Sequence, residues 1–132
     1  MSLKLAAAGR TLATLEELLP PRTSVERDAA IQRFEYTFEA TWKAAQAYLR
    51  EVEGLEAGSP KRVVRESRAV GLLDDGEAAR ALDMTDDRNL TAHTYHEEVA
   101  VAIAARLEGH ARLLRGWLAA MNVGRPPGST RG

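Results

Sequence analysis

Between Asp86 and His96 the chain reads Asp-Asp-Arg-Asn-Leu-Thr-Ala-His-Thr-Tyr-His. These eleven residues gather two of its three histidines, an arginine, an amide and a phenol. The types suit reaction at a phosphate. An imidazole titrates near neutral pH, so it can take a proton from a ribose 2′-hydroxyl or return one to a leaving oxygen. A guanidinium offers a planar fork to charge that builds on phosphate oxygens. Neither step needs a metal ion or other cofactor. His93 and Arg88 are the candidates for these parts, with Asn89 able to orient the imidazole or bind phosphate. A single His93 cannot be acid and base in the same step. Two copies facing each other across a two-fold axis would supply both, and His96 is the candidate second group within one chain.

Geometry limits how these residues meet. Arg88 and His93 are five apart, about 140° around an ideal helix, so an unbroken helix would separate them. Asn89 and His93, four apart, would share a face. Thr94 with Glu97 has the spacing of a capping box, which predicts a new helix starting just after His93. The imidazole would then lie at a helix-to-helix junction, free to approach the guanidinium. Tyr95 and His96 would fall in the first turn. Glu97 and Glu98 lie there too, and would oppose a phosphate unless they point away. The acidic pair Asp86 and Asp87 would weaken RNA affinity locally, or instead hold Arg88 in place.

The elements that position this stretch read as helices throughout. Leu5, Ala8, Leu12, Leu15 and Leu19 form one face of a first helix that Pro20-Pro21 ends. Thr23 and Glu26 have capping-box spacing before a long helix. It carries Ile31, Phe34, Phe38, Thr41 or Trp42, Ala45, Leu49 and Val52, and ends near Gly54 to Gly58. Ser59-Pro60 is an N-cap followed by proline at the first helical position, and Val63, Val64, Val70 and Leu73 give that short helix its apolar side. After a break at Gly71 and Asp74-Asp75-Gly76, a weakly amphipathic helix from about Glu77 to Leu90 delivers the polar stretch. The last helix runs Val99, Ile103, Leu107, His110, Leu114, Trp117 and Met121 down one face. The expected fold is all-α: an antiparallel bundle of four main helices plus a short one, in one domain over 1–123, with a flexible tail over 124–132.

Composition narrows the classes. The 132 residues carry a formal charge of −1, which provides no global basic field for nucleic acid. Cysteine is absent, so neither disulfides nor thiolate chemistry arise. No apolar run approaches the ~18 residues of a membrane span, and no signal-peptide pattern opens the chain, so a cytoplasmic protein is expected.

Three blocks resemble a known family. Arg88, Asn89, His93 and Tyr95 match the Arg-x4-His-x-Tyr signature of the HEPN superfamily (higher eukaryotes and prokaryotes nucleotide-binding). Residues 31–43, Ile-Gln-Arg-Phe-Glu-Tyr-Thr-Phe-Glu-Ala-Thr-Trp-Lys, resemble its second-helix block. Ser59-Pro60, Glu66 and Gly71-Leu72-Leu73 resemble the connecting block. The likeness runs from about Asp28 to Trp117 and is to the HepT-like branch, the nucleotidyltransferase substrate-binding proteins. It implies a homodimeric helical bundle partnered with a minimal nucleotidyltransferase encoded nearby. It also implies a metal-independent ribonuclease toxin in which Arg88 and His93 are catalytic and Asn89 supports them. Tyr95 would be the site at which the partner, acting as antitoxin, transfers AMP.

Plainer roles compete. His93 and His96 lack the further ligands zinc requires, and no histidine has a glutamate three residues before it, which excludes a ferritin-like di-iron bundle. His110 on an apolar stripe reads as a core or dimer-interface histidine. Trp42 and Trp117 read as core. Glu35 and Glu39 form a solvated face, or Glu35 faces the motif and positions Arg88. Two other functions stay open: a non-catalytic subunit that presents a nucleotide or other substrate to the transferase, and a plain helical dimerisation module.

Overall fold

Proline, glycine and capping side chains divide the chain into helices, and the computed structural model, which describes residues 2–123, contains no strand among them. In order these are α1 (Ser2–Glu16), α2 (Ser24–Glu53), α3 (Pro60–Ala69), α4 (Asp75–Leu90), a 3₁₀ turn (Thr91–His93) and α5 (Glu97–Val123). This is the expected all-α bundle, with α3 as the short helix. The tail expected over 124–132 lies outside the described residues.

The helix boundaries follow from local chemistry. The Thr23 side chain accepts from the Glu26 amide at 3.0 Å. The Glu26 carboxylate reaches back to the amide of Arg22, one residue earlier than a capping box requires. Gly54 ends α2 at φ +69°, a left-handed conformation that suits glycine. Ser59 caps α3, with Pro60 at its start. Asp74 and Glu77 form a full reciprocal capping box, so α4 begins earlier than its apolar pattern implies and takes Gly76 into its first turn.

The core lies where α1, α2 and α5 meet. Leu12 and Leu15 of α1, Phe34 and Phe38 of α2, and Leu107, Leu114, Trp117 and Met121 of α5 are all buried. Each such side chain contributes ~1.5–3 kcal/mol relative to exposure. Val52, by contrast, is exposed at the end of α2, and Trp42 is half-buried. α3 packs on α2 and α4, and α4 packs on α5. No helix among the described residues is long and apolar enough to cross a membrane.

Candidate functional site

The polar stretch sits where α4 runs out against α2 and α5. Arg88 is in the last turn of α4, and its side chain turns toward α2. Its Nη1 lies 3.7 Å from Glu35 Oε2 and its Nη2 3.7 Å from Glu39 Oε1. Nη1 also donates to Thr91 Oγ1 at 3.3 Å. The Thr91 hydroxyl lies 2.6 Å from the Arg88 carbonyl and 2.9 Å from Glu35 Oε2, and its one proton serves either acceptor. Arg88 Nε is buried without a partner among the described residues. Glu35 therefore faces the motif, and Thr91 joins it as a residue sequence reasoning had passed over.

Beyond α4 the chain winds into the 3₁₀ turn and then a turn through Thr94 and Tyr95 before α5 begins at Glu97. The capping box expected from Thr94 to Glu97 does not form. The Thr94 hydroxyl instead donates back to the Thr91 carbonyl at 3.3 Å. The His96 carbonyl receives the first amides of α5, from Val99 and Ala100. The side chain of Glu97 is drawn to Arg27, 3.7 Å away.

His93 is exposed, with Nδ1 3.3 Å from the Tyr95 hydroxyl and the rings edge-on at 6.0 Å. The Tyr95 ring, 76% exposed, also meets the His96 ring at 4.4 Å. Asn89 is exposed at the end of α4, and its side chain makes no hydrogen bond among the described residues. The structure thus gathers two subsites: Arg88 with Glu35, Glu39 and Thr91, and His93 with Tyr95 and His96. No hydrogen bond links Arg88 to His93. A groove of about 500 Å3 lies alongside, lined by Asp28, Gln32, Glu35, Thr94 and Tyr95.

Neither aspartate before Arg88 pairs with its guanidinium. Asp86 pairs with Lys61 of α3 at 2.8 Å. Asp87 turns to α5, where Arg106 donates to both of its oxygens at 2.7 Å and His110 Nε2 lies 2.7 Å from Oδ2. Burial alone would push the Asp87 carboxyl up, but the hydrogen bonds and charges of Arg106 and His110 outweigh it and hold the group below its ordinary value. The hydrogen bond to Asp87 raises Arg106 in turn. His110 is a satisfied core histidine, stacked on Phe34. Arg106 carried no distinctive sequence signal beyond lying one turn before His110.

Comparison with known proteins places the chain in a family. Residues 3–123 match the family described as "Nucleotidyltransferase substrate binding protein like". The chain is 31% identical over 83 residues to a Haemophilus influenzae protein named probable ribonuclease HepT. That match takes in 60% of this chain and 56% of the relative, little more than half its length. A crystal structure from Thermus thermophilus is 61% identical with a TM-score of 0.84, covering 86% of this chain and 98% of that one. A Haemophilus influenzae structure, described as the fold of a substrate binding domain of a nucleotidyltransferase, shares the fold at 22% identity. Its TM-score is 0.75, with 89% of this chain and 98% of that one covered. The match across nearly the whole chain and the helical bundle agree: this chain belongs to the HepT-like family of nucleotidyltransferase substrate-binding proteins.

Proposed function

We propose that the chain is a metal-independent endoribonuclease, the toxin of a two-component pair whose other member is a minimal nucleotidyltransferase. It would act in the cytoplasm as a homodimer. The observation that carries this reading is the pairing of His93 with Tyr95. The Tyr95 hydroxyl occupies Nδ1, which leaves Nε2 of an exposed imidazole facing solvent. In one copy Nε2 takes the proton of a ribose 2′-hydroxyl as that oxygen attacks phosphorus. In the facing copy a protonated His93 gives its proton to the leaving 5′-oxygen, so the products are a 2′,3′-cyclic phosphate and a free 5′-hydroxyl. Arg88 stabilises the charge on the non-bridging oxygens, and Asn89 assists at the same end of α4. Glu35 positions Arg88, and His96 supports the Tyr95 ring. AMP transfer to Tyr95 would remove its hydroxyl proton and set a phosphodiester anion beside the imidazole, which opposes RNA entry and disturbs the His93 tautomer.

A second reading has its own support. Arg88 is already faced by two carboxylates, and Asp28 and Glu35 line the adjoining groove. Such a surface suits a subunit that presents a nucleotide or other acceptor to the transferase rather than one that grips a polyanion.

An RNA cleavage assay in EDTA separates the two, using protein shown by mass to be unmodified. Cleavage by the wild type, lost on His93→Ala and on Arg88→Ala with helix content intact, supports the ribonuclease. No cleavage by wild-type dimer, combined with stimulation of the partner transferase, supports the presenting subunit.

A further inference from the structure

Arg88 leaves α4 toward α2, whereas the residue before it, about 100° around the helix, leaves toward α5. Asp87 is only 5% exposed, and the proposed chemistry makes no use of it. Its carboxylate is gripped by the Arg106 fork and by His110, each contact at 2.7 Å. The His110 ring lies on Phe34 with centroids 5.3 Å apart and planes at 20°. Phe34 precedes Glu35, the α2 residue that faces Arg88. Two parallel links therefore hold the end of α4. One runs from Asp87 through His110 to Phe34, and the other, one residue along each helix, runs from Arg88 to Glu35.

The two links differ in stiffness. The Arg88 contacts to Glu35 and Glu39 are both 3.7 Å, whereas the Asp87 contacts are 2.7 Å and charge-assisted, with the carboxylate and His110 buried and Arg106 half exposed. Apolar packing is non-directional, and the one other short pair on this turn, Asp86 with Lys61 at 2.8 Å, joins two exposed side chains, so the Asp87 contacts are the ones that best resist rotation of the last turn of α4. At the ~5–6 Å radius of helix side chains, a 10° rotation moves the guanidinium by about 1 Å. A displacement of that size costs a positioned reaction up to ~100-fold.

We infer that Asp87, clamped by Arg106 and His110, is the positioning residue for Arg88, setting the rotation of the last turn of α4. The inference rests on the reading of Arg88 as the phosphate-binding group. Two readouts on the full-length protein test it, with Asp87→Asn and the milder Arg106→Lys. The first follows Arg88 itself by NMR. Its buried Nε–H signal, identified by its loss in Arg88→Ala, should shift in Asp87→Asn and exchange with solvent about ten-fold faster. The second is RNA cleavage in EDTA, where kcat should fall roughly 10- to 100-fold while KM stays within about three-fold. Arg106→Lys, which keeps the charge but not the fork, should move both readouts less. If the wild type does not cleave RNA, the ribonuclease reading fails and the Arg88 signal alone decides. An unchanged Arg88 signal in folded Asp87→Asn overturns the inference. So does an unchanged kcat wherever cleavage is measurable. Should Asp87→Asn fail to fold, Arg106→Lys decides by the same two criteria.

Discussion

Replacing Asp87 with asparagine keeps the shape of the side chain and removes its charge. The wild-type carboxylate accepts three short bonds, two from Arg106 and one at His110. Hydrogen bonds to charged groups contribute ~1.5–3 kcal/mol each, and breaking a buried pair costs ~3–5 kcal/mol. Two facts place this site at the lower end. Arg106 is about half exposed and can rehydrate, and asparagine still offers one acceptor oxygen. Its amide, however, must point a donor at another donor. The expected loss at pH 7 is about 3 kcal/mol, which leaves a typical domain folded and lowers its midpoint by roughly 10 °C. The pH dependence gives a second handle. Because the folded Asp87 carboxyl lies below its ordinary 3.8, its contribution is fully present above that pH. It is lost as pH falls through the folded value. Urea denaturation of both proteins between pH 7 and pH 3 should show their difference shrinking once the pH drops below 3.8. A loss under about 1 kcal/mol at pH 7, or one that persists undiminished at the acid end, would refute the argument.

Other consequences are smaller. Thr91→Val leaves Glu35 and the Arg88 fork without their shared hydroxyl and should cost about 1–2 kcal/mol in urea denaturation, with a drop in any Arg88-dependent activity. Gly71→Ala places a side chain at φ +85°. A Cβ there meets nothing within 4 Å, so thermal unfolding should report the backbone penalty alone, about 1–2 kcal/mol. Asp74→Ala removes one half of the reciprocal cap of α4 and should lower stability by about 1 kcal/mol, with helix content nearly unchanged by circular dichroism.

What the amino-acid order made legible was the periodic part of the molecule. On α5, Ile103, Leu107, His110, Leu114, Trp117 and Met121 are all buried as their spacing implies. The breaks at Gly54 and at Ser59-Pro60 also fall where expected, whereas α1 ends at Glu16, before Leu19, and α4 takes in Asp75 and Gly76. The junction was harder because several local bonding patterns compete there. Thr94 has cap spacing to Glu97, yet its hydroxyl donates backwards to the carbonyl of Thr91, and α5 starts with no help from it. The partners of Asp87 were hidden for a different reason, which also left open whether Glu35 faced Arg88 or solvent. Consecutive helix residues point about 100° apart, so adjacent charges in the sequence reach different helices. Glu35 lies 56 residues from Thr91, and Arg106 lies 19 from Asp87. Pairings over such distances depend on how helices rotate against each other, which no local spacing encodes.

The ion pair between Glu16 and Arg115, with contacts at 2.6 and 3.2 Å, joins residues 99 apart in the chain. It belongs to the seam between α1 and α5, which closes the core over Leu12 and Leu15. During synthesis α1 and α2 can pair as soon as both have emerged, since their contacts are local. Their shared apolar face stays open until α5 arrives, because that helix supplies Leu107, Leu114 and Trp117. The nascent chain therefore carries a sticky half-core from the emergence of α2 until α5 follows, the kind of exposure that invites chaperone binding. Substitutions that weaken α5 would be expected to lower the yield of soluble protein more than equally costly changes at the α1–α2 turn.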